Sequence, residues 1–127
     1  MPSFTALFKT DTYVPDGLVG GNPDLLLNSS IILAAGQNLK RGALLGKITA
    51  SGKYVLSLAA SSDGSQVPNS ILVDDVDATS GDKAALNYTR GDFLQDFVTF
   101  GTGHTPASTS AALRPLGIVF ITAQGGV

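Results

Sequence analysis

Cysteine, tryptophan and glutamate are all missing from this 127-residue chain. Without cysteine there is neither a disulfide framework nor a thiolate metal site, so stability rests on packing and association. Without glutamate an EF-hand loop lacks the bidentate ligand that closes it, and the run Asp74, Asp75 and Asp77 reads as a solvated turn or strand end. Charge is scarce as well. Only 14% of residues are charged and 43% are hydrophobic, so much of the surface is expected to be uncharged or covered by partners. A net charge of −2 gives no drive toward phosphate backbones or anionic lipid, and neither nucleic acid nor membrane is expected as a partner. No run approaches the ~18 apolar residues of a membrane span, and the N-terminus has no basic region followed by an apolar core, which predicts a soluble chain.

Catalytic signatures are equally sparse. His104 is the only histidine, no G-x-S-x-G elbow surrounds any serine, and a Cys-His pair is impossible. Gly101 and Gly103 open neither a P-loop nor a dinucleotide fingerprint. Paired carboxylates for glycoside hydrolysis need an acid raised by an apolar pocket, and no segment suggests one. The sequence therefore predicts no catalytic residue, no cofactor and no metal. Arg90-Gly91-Asp92 spells a tripeptide used in cell adhesion, yet its place between two strand candidates reads as turn chemistry.

What the chain does contain is a succession of short β patterns. Asn38–Val55 is the richest stretch: Leu44, Leu45 and Ile48 on Ala43–Thr49, then Tyr54, Val55, Leu56 and Leu58 on Lys53–Leu58, joined by Ala50-Ser51-Gly52 as a hairpin loop. Gly42 and Gly46 flank the first run, where a missing Cβ permits positive φ or close backbone approach. Ser30–Ala34 and Ser70–Val73 are further strands, the latter after a loop carrying the turn signal Asp63-Gly64 and closed by Pro68. Ala84–Thr89 and Phe93–Phe100 are separate strand candidates. One helix is expected: Thr105 as N-cap, Pro106 at the first helical position, and Ala107–Leu113 running until Pro115 and Gly117 forbid continuation. Arg114, at its end, complements the helix dipole and is a candidate intersubunit contact. Gly117–Thr122 reads as a buried terminal strand.

The first 28 residues differ. Pro2, Pro15 and Pro23 with Gly17, Gly20 and Gly21 discourage regular structure before Ile31. Phe4, Leu7, Phe8, Tyr13, Val14, Leu18 and Leu25–Leu27 nevertheless make the segment too apolar for a purely solvated tail. It reads as an extended arm seeking a surface, with packing onto its own domain as a first strand the open alternative. The chain divides into an arm over 1–28 and one β-rich domain over 29–127.

Taken in order, AAGQNLKRGALLGKITASGKYVLS, then DGSQVPNSILVDDVD, then Gly101-Thr-Gly-His-Thr and Leu113-Arg114-Pro115-Leu116-Gly117-Ile118, resemble the head decoration protein D family of tailed bacteriophages. The resemblance runs from about Tyr13 to Phe120. It implies a mainly β, β-clip-like single domain with one short helix near the C-terminus and an extended N-terminal arm. It also implies a structural virion protein: a homotrimer made in the bacterial host cytoplasm and placed on the outer surface of the expanded phage head. The arm would add a strand to the major capsid protein and so stabilise the shell, a mode in which main-chain hydrogen bonds supply affinity. The competing reading from residues alone is a cell-surface or carbohydrate-binding β module displayed on a particle. The lack of Trp weakens that reading.

Overall fold

A computed structural model describes residues 18–19 and 26–122. These are mainly β, with eight strands and one short α-helix near the C-terminus. In chain order the strands are β1 (Leu27–Leu33), β2 (Asn38–Leu39), β3 (Leu44–Lys47), β4 (Tyr54–Leu56), β5 (Pro68–Leu72), β6 (Val76–Asp77), β7 (Lys83–Leu94) and β8 (Ile118–Ile121). The helix α1 spans Pro106–Leu113.

Six strands form one sheet in the order β1-β4-β3-β5-β7-β8, and an additional β1–β7 pairing closes five of them into a ring. The short strands β2 and β6 make a separate antiparallel pair, Asn38 opposite Asp77. The hairpin read from the sequence is present: β3 and β4 are antiparallel with Leu45 opposite Leu56. Both flanking glycines are used as their missing side chains allow. Gly42 has φ 97°, and a Cβ on Gly46 would collide with the Ser65 carbonyl oxygen.

Leu44-Leu45 and Ile71-Leu72 explain the architecture. Consecutive strand residues point to opposite faces, and all four side chains are fully buried, so this part of the sheet is covered on both sides. Leu45 and Leu72 join Ile31, Leu33, Ala43 and Ala85 inside the ring, with Tyr54 and Leu56 of β4 packed against them. Leu44 and Ile71 face the other way, into a cluster with Leu18, Phe93, Leu113, Ile118 and Phe120. There α1 packs against β5 and β8. Each fully buried leucine of these clusters adds about 1.5–3 kcal/mol relative to exposure.

The helix begins where expected because Thr105 and Ser108 form a capping box: Ser108 N donates to Thr105 Oγ1 at 3.0 Å and Thr105 N to Ser108 Oγ at 2.9 Å. Pro106 occupies the first turn, and buried Leu113 fixes the helix to the core. The polypeptide leaves through a 3₁₀ turn, Arg114–Leu116, to Gly117 at φ 92°, and β8 follows.

Four boundaries differ from the sequence reading. Regular structure starts at Leu27, ahead of Ile31, because all seven residues of β1 find partners on β7. Pro68 opens β5 rather than closing the preceding loop, as suits a residue at the first position of a strand. The candidates Ala84–Thr89 and Phe93–Phe100 are not separate: β7 runs unbroken from Lys83 to Leu94, then Gln95–Phe97 turns as a 3₁₀ helix. Leu18 and Val19, inside the segment read as an arm, belong to the folded body. Leu18 is buried in the core, its carbonyl accepts from Leu94 N at 2.9 Å, and Val19 bridges Phe93.

Candidate assembly surface

The outward face of β1 and β7 exposes apolar side chains on two paired strands. Directly opposed residues of an antiparallel pair share a face. The register sets Ile31 against Ala85 on the buried side, and Ser30 against Leu86 and Ile32 against Ala84 on the outer side. Ile32 is 43% exposed and Leu86 40%. Two large aliphatic side chains therefore face solvent on adjacent strands.

Beside this face β1 has an open edge. Its only register pair with β4 is Leu33 with Tyr54, next to which Ala34 N donates to the Tyr54 carbonyl at 2.9 Å. Backbone groups alternate direction along a strand, so those of Ile32 and Ser30 point to the same side. Between β1 and the β3–β4 hairpin lies a groove of about 410 Å³ lined by Ser30, Ile32, Lys47, Gly52, Tyr54 and Ala84. An uncovered edge of this kind is a template for pairing with another chain.

The sequence-singled residues fall in several places. Phe4, Leu7, Phe8, Tyr13 and Val14 lie outside the described residues. Arg114 is exposed and caps α1 through its backbone, N–H to the Ser110 carbonyl. Its side chain borders a second depression with Gln95, Thr105, Pro106, Ser110 and Phe120.

Arg90-Gly91-Asp92 is not a turn. The tripeptide sits inside β7, where Leu27 pairs with Arg90 on one edge and Ile118 with Gly91 in parallel register. Gly91 lies within the strand without ending it. Its φ is 149°, and a Cβ there would come within 2.5 Å of Leu26 Cδ2. A strand held by pairing and side-chain packing cannot present the tripeptide as a protruding loop.

His104 and Ser57 approach to 3.0 Å between Nε2 and Oγ, a pairing that sequence reasoning missed. It is not arranged for nucleophilic attack. Ser57 is fully buried and its hydroxyl donates to the Ser65 carbonyl at 2.7 Å. The one hydroxyl proton being committed, the imidazole Nε2–H is the donor to Ser57. The pair ties the His104 loop to the loop over Ser65.

The aspartates serve turns. Asp75 Oδ1 accepts from Arg41 N at 2.8 Å, while Arg41 Nη1 donates to the Val73 carbonyl and to Tyr88 Oη at 2.8 and 2.9 Å. Asp77 accepts from Thr79 Oγ1 and N, and these bonds hold its carboxyl below the usual range. Asp63 is lowered in the same way by Ser65. Lys53, by hydrogen bond, and then the Ala35 N–H lower Asp82. Among the described residues no group of three or more His, Cys or acidic side chains is placed to hold a metal.

The chain matches the family described as bacteriophage lambda head decoration protein D over residues 7–121. It belongs to that family. The match extends the resemblance read from the sequence to nearly the whole chain, and it accounts for a surface with an unpaired strand edge and no catalytic constellation. The family is one of structural phage capsid components, not of enzymes. No curated protein matches the sequence.

Proposed function

We propose that this chain is a trimeric decoration protein that binds the outside of the expanded phage capsid and stabilises it, with the segment before Leu18 reaching the major capsid protein. The family match over residues 7–121 carries this reading. Supporting it, the described residues form a β ring with exposed aliphatic side chains and show no catalytic geometry. The residues ahead of it are apolar yet rich in Pro and Gly, a composition suited to adding a short strand to a receptor edge.

Energetics favour several arms acting together. Ordering about fifteen residues costs on the order of 1–2 kcal/mol each. Burial of the five side chains Phe4, Leu7, Phe8, Tyr13 and Val14 returns only about 1.5–3 kcal/mol each, so main-chain hydrogen bonds and linked neighbouring arms supply the remainder. Linkage of binding segments raises avidity by roughly 10²–10⁴ when geometry lets them engage together.

Removal of residues 1–17 tests the assignment. The truncated protein is expected to keep its circular dichroism spectrum and its solution mass while no longer co-sedimenting with expanded shells. Undiminished shell binding would contradict the role given to this segment.

A further inference from the structure

Two aspartates of the chain are followed by glycine, Asp16 and Asp63. Such a pair is chemically fragile in an open chain, because glycine carries no side chain to hinder attack of its backbone nitrogen on the neighbouring carboxyl carbon. The N–Cγ bond forms as the carboxyl C–OH bond breaks, and one water leaves with the amide proton. The five-membered imide then takes one water back. Cleavage at the side-chain carbonyl restores aspartate, whereas cleavage at the main-chain carbonyl leaves isoaspartate of unchanged mass, with the backbone running through Cγ.

The turn around Asp63 opposes each requirement of that reaction. Gly64 N donates to Gln66 Oε1 at 2.8 Å, so the attacking nitrogen keeps its proton and its amide plane. Ser65 N donates to Asp63 Oδ1 at 3.0 Å and Ser65 Oγ donates to the same oxygen. Those bonds hold the carboxyl below its usual range and keep it a carboxylate, from which no hydroxyl can readily leave. The backbone is fixed as well: the Asp63 carbonyl accepts from Thr49 N at 2.9 Å, and the buried Ser65 accepts from Ser57 Oγ at 2.7 Å through its carbonyl.

We propose that Asp63-Gly64 is a latent site of isoaspartate formation, held unreactive in the folded protein by Gln66 and Ser65 and released wherever this loop opens. Conversion would not be neutral. Gly64 has φ 104° and packs so closely that a Cβ there would collide with Thr49 Oγ1, which leaves no room for an extra backbone carbon beside it. The converted loop therefore loses the Thr49–Asp63 bond that ties it to the chain after β3.

Incubation of the full chain for weeks at physiological temperature and neutral pH, folded or in denaturant, tests this. Isoaspartate is read by isoaspartyl methyltransferase labelling, and peptide mapping assigns it to residues 54–83 rather than to the peptide holding Asp16-Gly17. The denatured chain is expected to convert at Asp63 much faster than the folded one. Gln66→Ala, with a native circular dichroism spectrum, should convert about fivefold faster than folded wild type, the size of one net hydrogen bond. Should that variant misfold, Gln66→Leu, of similar size and without an acceptor, takes its place. Asp63→Glu, which would need a six-membered ring, should abolish the signal from residues 54–83 in both states. Absence of isoaspartate at Asp63 in the denatured chain, or equal rates in folded and denatured wild type, would overturn the proposal. A folded Gln66 variant converting at the wild-type rate would overturn the protective role given to Gln66.

Discussion

Lys53 and Asp82 meet at 2.6 Å directly across the joint that closes the ring. Leu33 pairs with Tyr54 on one side and with Lys83 on the other, and Lys53 and Asp82 are the residues just before those partners. Asp82 also accepts from Ala35 N at 2.8 Å. A joint with one β1–β4 register pair is thus reinforced by an ion pair and a backbone clamp.

Acid should loosen it. A carboxylate whose native pKa lies below its unfolded value, 3.8 for Asp82, adds stability above that value and loses it as pH falls through the lowered native one. Asp63 and Asp77 carry the same sign. The thermal midpoint is expected to be flat from neutral pH to about 5 and to fall below about 4. Asp82→Asn lowers the neutral-pH midpoint and shrinks the acid-induced drop. Calorimetry across this range checks it, and a midpoint that rises on acidification would contradict it.

Leu18, the first of the described residues, already belongs to the folded body. Fully enclosed by the cluster around Phe93 and Leu113, it should cost about 2–5 kcal/mol when replaced by Ala, the range for a buried leucine. Denaturant unfolding measures this. A change within a few tenths of a kcal/mol would show that the body starts at β1 instead.

Gly91→Ala is expected to destabilise by more than ~1 kcal/mol, since it adds a side chain at positive φ and against Leu26. Arg90→Ala and Asp92→Ala should differ little from wild type in monomer stability. Comparison of the three by thermal unfolding separates a packed strand position from an adhesion loop. Equal tolerance at all three positions would refute the strand role given to Gly91.

Locally encoded features were readable from the sequence. The Leu44–Leu56 hairpin needs only neighbours in the chain, and Thr105-Pro106 defines a helix start by itself, whereas the close approach read at Gly46 is supplied by distant Ser65. What escaped depends on distant partners. The continuity of β7 through Arg90-Gly91-Asp92 is imposed by Leu27 and Ile118, neither adjacent in sequence. Leu18 looked like part of an arm because proline and glycine surround it, and only Leu94 and the core hold it in place. The apolar outer face was equally hidden. Ile31 and Ile32 read as one strand motif, and the register with β7 alone decides which is buried. The family was readable through the ordered resemblance of several segments, none of which specifies it singly.

The central claim, decoration of a mature phage head, is tested most directly by counting copies bound to purified shells before and after expansion. In the proposed trimer three arms would gain avidity only where receptor edges match their spacing. The account predicts near-complete occupancy of expanded shells by the full-length protein and little on unexpanded ones. Equal occupancy of both, or binding to neither, would contradict it.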